Sequence, residues 1–282
     1  MSKIEALVIG SGGFVGQNIL KQIVSSGIQT KSFNRLEMNL LDPQSINNSL
    51  GKIKQIERII FCAGEVPAKD EIVLFRNITM LDNLLEQLES INFTHFTYIS
   101  SDAVYADSNL SINEDSLKQP SSFHGKMHLL REERLQEQFS EKLLIVRPTL
   151  IYGKEDPHNG YGPNKFMRSA IQNRLIELNG FGEELRDHIY IENVRSLISN
   201  LVINCRVGPY NICTDTLISF ADIANEISDL FMGQIEIVHQ ARTAPPPHNG
   251  YRRLSNEKLK KVSPDLEFAS IGTNLMNSFL GS

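Results

Sequence analysis

The chain has 282 residues, a formal charge of -5 and 41% hydrophobic side chains, enough for a full core and for one large domain or a domain with a lobe. No apolar run reaches the ~18 residues of a membrane helix, which excludes a membrane span, and no block of lysine and arginine stands out, which argues against nucleic acid as a partner. The N-terminus shows no basic region followed by an apolar stretch, so no signal peptide is expected, and Cys62, Cys205 and Cys213 lack metal or redox spacing, so Cys62 reads as a buried reduced thiol and the cytoplasm is the simplest compartment.

The first element is a strand over 4–9, and Gly10-Ser-Gly-Gly13-Phe14-Val15-Gly16 follows it directly. Phe14, Val15, Ile19, Leu20 and Ile23 then recur with helical spacing, predicting a helix over 14–26. Strand, glycine turn and helix form the context of a dinucleotide fingerprint. Gly10 permits the tight turn, Gly13 lets a pyrophosphate approach the free N–H groups of the helix start, and Gly16 lets helix and strand pack closely. The spacing is GxxGxxG rather than GxGxxG, and a tight turn without a ligand is the bland alternative.

Strands are expected next at 30–34, 37–40, 58–62, 95–100 and 143–147, alternating with helices at 43–50, 70–90 and 122–139. Asp42-Pro43 marks one start, a capping residue followed by proline at the first helical position. Such alternation predicts right-handed βαβ crossovers and a doubly wound parallel sheet of the α/β class, a Rossmann-type domain over residues 1–150. Residues 151–282 are expected to be mostly a small C-terminal lobe, with some segments returning to the sheet. There the pattern gives a Gly/Pro-rich stretch at 153–163, helix 164–173, strand 175–178, a loop at 179–187, strand 189–191 and helix 193–204. Strand 209–212, helix 219–232 and strand 235–238 follow, and Pro245-Pro246-Pro247 marks an extended connector.

Several motifs stand in order along this framework: Phe61-Cys62-Ala63-Gly64, the run from Asn77 to Glu86, Tyr98-Ile99-Ser100-Ser101-Asp102, Arg147-Pro148-Thr149, and Arg186-Asp187-His188-Ile189-Tyr190. Together they resemble the extended short-chain dehydrogenase/reductase family, its sugar-nucleotide epimerases, dehydratases and reductases above all. The resemblance implies Ser101 as the catalytic Ser/Thr and Asp102 as a second proton-transfer group. It implies cofactor contacts from Gly10, Gly13, Phe14, Val15, Gly16, Asn39, Leu40, Ala63, Gly64, Asn77 and Pro148. The dehydratases add a glutamate after that aspartate; Ala103 stands here.

One departure matters. The family carries Tyr-x-x-x-Lys on the next helix, whereas this chain reads His124-Gly125-Lys126-Met127-His128, with Gly125 and Glu132 in family register. Lys126 is two residues off and points to another face. A literal match at Tyr161–Lys165 falls in the Gly/Pro-rich loop and reads as coincidence. A neutral imidazole is already a competent base near pH 7, so His124 is expected to be the acid/base and His128 a neutral ribose ligand or proton relay. Two alternatives stay open: a pseudoenzyme that binds cofactor without turnover in a regulatory or scaffold role, and a metal site on His124, His128 and Glu132, disfavoured for want of HExxH.

No acid occupies the tip of the second strand, where Asn34 and Arg35 stand instead. This favours NADP, with NAD still possible. By the same resemblance, Arg186 and Arg252 or Arg253 meet the diphosphate of a nucleotide-sugar substrate. The chemistry implied is 4-keto reduction or epimerisation through a keto intermediate, of the kind used in polysaccharide biosynthesis. A homodimer through the helices at 70–90 and 122–139 is expected too.

Overall fold

A computed structural model describes residues 4–281. In chain order its regular elements begin β1 (Ala6–Ile9), α1 (Phe14–Ser25), β2 (Thr30–Phe33), α2 (Pro43–Leu50), β3 (Arg58–Phe61), α3 (Glu71–Leu88), β4 (His95–Ile99), α4 (Phe123–Phe139) and β5 (Leu143–Pro148). They continue β6 (Leu150–Tyr152), α5 (Pro163–Asn173), β7 (Leu175–Asn179), β8 (Leu185–Arg186), β9 (His188–Tyr190), α6 (Ile191–Ile203) and β10 (Gly208–Ile212). The last are β11 (Ile218–Ser219), α7 (Phe220–Leu230), β12 (Glu236–Gln240), β13 (Tyr251–Arg252), α8 (Glu257–Lys260) and α9 (Ile271–Leu275).

The chain divides into two compact units. The first holds residues up to Ala106, Glu114–Pro148 and Arg195–Tyr210. Its sheet runs in the order β10-β5-β4-β3-β1-β2, and the pairs β1–β2, β1–β3, β3–β4 and β4–β5 are all parallel. β1, β3 and β5 are almost wholly buried apolar runs, as a sheet covered on both faces requires. Leu7, Ile9, Ile59, Phe61, Phe96 and Tyr98 meet Leu81, Leu84, Leu85 and Leu135 in one core. Asp42 caps α2 by accepting the Gln44 N–H, with Pro43 at the first position. The α/β class and the central parallel sheet are as the sequence implies.

Residues 37–40 are not a strand. Asn34 Oδ1 accepts the N–H groups of Leu36 and Glu37, the Glu37 carboxylate accepts the Asn34 N–H, and Asn39 Oδ1 accepts that of Leu41. Short polar side chains that satisfy local backbone donors outcompete a ladder, and an alternating apolar pattern (Met38 and Leu40 buried) cannot reveal that competition.

The second unit comprises Asp107–Asn113, Thr149–Val194 and the chain from Asn211 onward. Within it β12 pairs in parallel with β7, β6 with β9, and β8 lies between β11 and β13. Its core joins Tyr152, Phe166, Met167, Ile176, Phe220, Ile223 and Leu275. The stretch expected as a loop at 179–187 contains β8, a two-residue strand too short for any periodicity signal. Pro246 is extended, but Pro247–Gly250 turn, with His248 and Asn249 at positive φ, so the triple proline ends in a tight turn.

Candidate active site

The sheet order reverses between β1 and β3, and ligands of open α/β sheets bind at such a switch point, beyond the carboxyl ends of the strands. Both strands end there in close contact. Gly10 has φ +91°, and a Cβ on it would lie 2.6 Å from the Ala63 nitrogen. A Cβ on Gly16 would lie 2.2 Å from the Gly10 carbonyl oxygen. Packing alone therefore demands glycine at both positions. Gly13 differs: a Cβ there would meet only the Gly10 oxygen, at 3.6 Å. Gly13 is also the N-cap of α1, with no side-chain cap and no acid in the first turn. The room beside Gly13 and the uncapped helix start fit a pyrophosphate, which such N–H groups bind. Phe14 and Val15, partly buried, begin that helix.

At the tip of β2, Asn34 and Glu37 are tied to each other's backbone. Arg35 is exposed and reaches Glu65 at 3.2 Å, and Arg76 clamps the same carboxylate with two bonds. These guanidinium groups lower the Glu65 pKa, Arg76 most. Asn39 is exposed; Leu40 is buried and its carbonyl accepts from Asn83. Past β3, the buried Asn77 accepts the Glu65 N–H and donates to the Glu65 and Val73 carbonyls. Its amide thus braces the Ala63–Glu65 loop from within α3. Arg131 braces the same loop, donating to the Ala63 and Asn77 carbonyls and lying over the Phe61 ring at 5.1 Å. Cys62, partly buried beside it, has its thiol pushed up to about 12 by burial.

The catalytic candidates cluster where β4 ends. Ser101 caps the short turn Asp102–Val104: its Oγ accepts the Ala103 N–H and donates to Asp102 Oδ1 at 3.3 Å. Gly125 lets α4 press on that turn, since a Cβ there would come within 2.1 Å of the Ala103 oxygen. His124 is consequently carried beside Asp102. Burial lowers the His124 pKa, and the Asp102 charge opposes this in part. Its Nδ1 is enclosed, with no hydrogen-bond partner among the described residues. His128, one turn on, meets His124 edge to face at 4.7 Å. The Tyr98 hydroxyl lies 2.7 Å from His128 Nδ1. Burial, the His124 ring and Arg131 together hold the His128 pKa well below its ordinary value.

Glu132 does not join the two histidines. Arg147 grips its carboxylate with two bonds, at 2.7 and 2.9 Å, and Ser100 Oγ donates to it at 2.6 Å. Among the described residues no group of three or more His, Cys, Asp or Glu side chains is arranged to hold a metal ion. Pro148 is buried at the end of β5.

In the second unit, Arg186 is buried against Glu184 and the Pro247 carbonyl, and Arg242 shares Glu184. Arg252 is buried and pairs with Asp107 beside His248, while Arg253 pairs with Asp215 at the surface. Tyr161, the literal YxxxK match, packs on Phe166 and Phe220 and accepts the Asn179 N–H.

Sequence reasoning missed Tyr98, Arg131 and Glu65. Tyr98 shares a strand face with Ser100 by period two, and Arg131 shares a helix face with His128 at i+3, so both were available as neighbours of named residues.

Known proteins resemble the chain throughout. It is 27% identical over 213 residues to dTDP-D-glucose 4,6-dehydratase of Dictyostelium discoideum, covering 68% of this chain and only 49% of that enzyme. It is 22% identical to GDP-mannose 3,5-epimerase 1 of Oryza sativa subsp. indica, covering 92% of this chain and 76% of the epimerase. UDP-glucose 4-epimerase of Thermus thermophilus, solved with NAD, superposes with a TM-score of 0.84 at 17% identity over 99% of both chains. RMD of Pseudomonas aeruginosa, solved with NADPH, gives 0.82 at 21% identity over 96% of both. No described helix is long and apolar enough to cross a membrane. The model of the NAD dependent epimerase/dehydratase family matches residues 6–213, and the chain belongs to that family.

Proposed function

We propose that the protein carries out NAD(P)-dependent redox chemistry on a nucleotide sugar, with His124 in the place of the family tyrosine. The observation that carries the reading is the His124 imidazole beside the Ser101–Asp102 turn, its Nδ1 enclosed without a hydrogen-bond partner among the described residues. Gly10, Gly13, Phe14, Val15 and Gly16 hold the dinucleotide. The nicotinamide, when bound, takes or gives hydride at a sugar carbon. Ser101 hydrogen-bonds the reacting oxygen.

Burial leaves His124 neutral, the form that can accept a hydroxyl proton, and the Asp102 charge partly offsets the cost of the buried imidazolium that results. Returning that proton to the new alkoxide in the same visit completes an epimerisation. Net reduction of a ketone needs an imidazolium loaded from water first, which burial opposes. The imidazole thus favours epimerisation through a keto intermediate over one-way 4-keto reduction. Arg186, with Arg252 and Arg253, binds the diphosphate, and the relatives and neighbours, named for nucleotide sugars, support that substrate class. Arg35 receives a 2′-phosphate, which favours NADP over NAD. A homodimer through α3 and α4 is supported by Ile72, Phe75 and Phe123, apolar yet exposed on those helices; size-exclusion chromatography tests it.

Calorimetry with NADPH and NADH, followed by turnover assays on UDP-, GDP- and dTDP-sugars, tests the reading. Heat from a dinucleotide and conversion of one sugar support it. Folded protein that binds neither cofactor overturns it, and binding without any turnover makes the chain a pseudoenzyme. Tighter binding of NADH than NADPH refutes the role of Arg35.

A further inference from the structure

The family lysine is missing, yet a buried cation remains on the same helix face. Arg131 lies one turn beyond His128, is 1% exposed, and hydrogen-bonds no carboxylate among the described residues. Its N–H groups go to the carbonyls of Asn77 and Ala63 and to Asn77 Oδ1, and its charge opposes the burial that raises the Tyr98 phenol. The Tyr98 oxygen thus has two partners of different kinds, the Arg131 charge and a hydrogen bond with His128 Nδ1.

The two partners are not equivalent. A guanidinium only donates; it has no lone pair to accept the phenol proton. That proton has one acceptor among the described residues, His128 Nδ1 at 2.7 Å. Glu132, whose charge reaches Tyr98, already accepts from Arg147 and Ser100. The direction of the bond is therefore fixed: Tyr98 O–H donates to His128 Nδ1. An imidazole that accepts at Nδ1 and is neutral carries its hydrogen on Nε2. His128 Nε2 has no hydrogen-bond partner among the described residues, and the residue keeps 6% of its surface exposed.

We propose that Arg131 and Tyr98 are positioning residues that lock His128 into the Nε2–H tautomer, so that a neutral imidazole presents an outward hydrogen-bond donor where the family presents a lysine ammonium. The use of that donor, a hydroxyl of the cofactor ribose, rests on the function proposed above; the tautomer does not. The arrangement separates two duties that a lysine combines. Charge sits on Arg131, sunk behind the Ala63–Glu65 loop, and donation sits on His128. It also explains why two histidines coexist on one turn: only His124 is free to change protonation state, because a proton added to His128 would face Arg131 and leave the Tyr98 hydroxyl proton without an acceptor.

Long-range proton–nitrogen correlation NMR on the full chain with nitrogen-labelled histidine tests this directly. Wild type without ligand is expected to show a pyridine-type Nδ1 and a pyrrole-type Nε2 for His128, assigned with His128→Gln. Tyr98→Phe and Arg131→Met should both average the two nitrogen signals, while Arg131→Lys, which keeps the charge, should restore the wild-type pattern. NADPH affinity should fall about tenfold in Tyr98→Phe, the loss of one well-aimed hydrogen bond. A pyrrole-type Nδ1 in wild type, or an imidazolium at neutral pH, overturns the proposal without any variant having to fold. An unchanged His128 pattern in folded Tyr98→Phe overturns it too. Locked Nε2–H with no affinity for dinucleotide leaves the lock standing and refutes the functional reading instead.

Discussion

Arg147 and Glu132 form a buried two-bond ion pair, with guanidinium nitrogens 2.7 and 2.9 Å from the carboxylate oxygens and both side chains 3% exposed or less. The pair joins β5 to α4, and Ser100, Tyr105 and the Glu114 carbonyl add further hydrogen bonds to it. It holds the helix that carries both histidines against the strand ends.

Removing one partner of such a pair strands the other charge. Arg147→Met should therefore cost about 3–5 kcal/mol of stability. Urea unfolding of wild type and variant measures it; a loss under about 1 kcal/mol contradicts the assignment of this pair as the tie between β5 and α4.

Gly13→Ala and Gly16→Ala should part company. The Gly13 backbone, at φ -80° and ψ 160°, suits alanine, and its Cβ has space. That variant should stay within about 1 kcal/mol of wild-type stability and lose dinucleotide binding by calorimetry. Gly16→Ala drives a methyl into the Gly10 carbonyl and should cost about 1–3 kcal/mol. Unimpaired binding by Gly13→Ala removes the pyrophosphate from that cradle.

His124→Ala should lower kcat about 10²–10⁴-fold on a substrate that wild type turns over, and leave NADPH affinity within a few-fold. In the direction that removes a hydroxyl proton, wild-type rate should decline as pH falls, with its limb below the ordinary 6.5 of imidazole, because burial lowers the His124 pKa. A variant with near-wild-type kcat places the base elsewhere, Asp102 first.

Acid stability should report His188 and Asp187, adjacent and opposed. Burial takes His188 from 6.5 to about 3. The unfolded chain gains that proton below pH 6.5 while the folded one does not, so stability falls as pH drops, by about 2 kcal/mol between pH 7 and 5. Burial raises Asp187 to about 6; the folded state then holds a proton the unfolded one lacks between pH 6 and 3.8, which returns about 1.3 kcal/mol by pH 5. His188→Phe should remove the first effect and keep the second, making the variant about 2 kcal/mol less acid-sensitive than wild type in urea titrations. Parallel pH curves for the two proteins contradict this.

The parallel sheet was legible because its strands are buried on both faces and read as continuous apolar runs, and because α1 and α4 keep helical spacing. Gly10 and Gly16 announced themselves as positions where no side chain fits. What stayed hidden depends on contacts between distant segments. Nothing local distinguishes Glu132, an ordinary helix glutamate in sequence, from the residue that Arg147 and Ser100 saturate. Arg131 reads as a solvated helix arginine until α3 and the Ala63–Glu65 loop close over it. The turns at Asn34 and Asn39 were missed because side-chain bonds to nearby backbone leave the apolar pattern unchanged.

The chain passes between its two units five times, after residues 106, 113, 148, 194 and 210. This has a consequence for synthesis. β5 is complete at Pro148, but its outer neighbour β10 begins only at Gly208. A ribosome adding about 5–20 residues per second takes some seconds to supply that strand, and for that interval β5 is the open edge of a nearly finished sheet. Its run Leu143-Leu144-Ile145-Val146 is the segment most exposed to self-association while the chain is being made, and a pause in translation between β5 and β10 should raise the insoluble fraction more than one placed after residue 212.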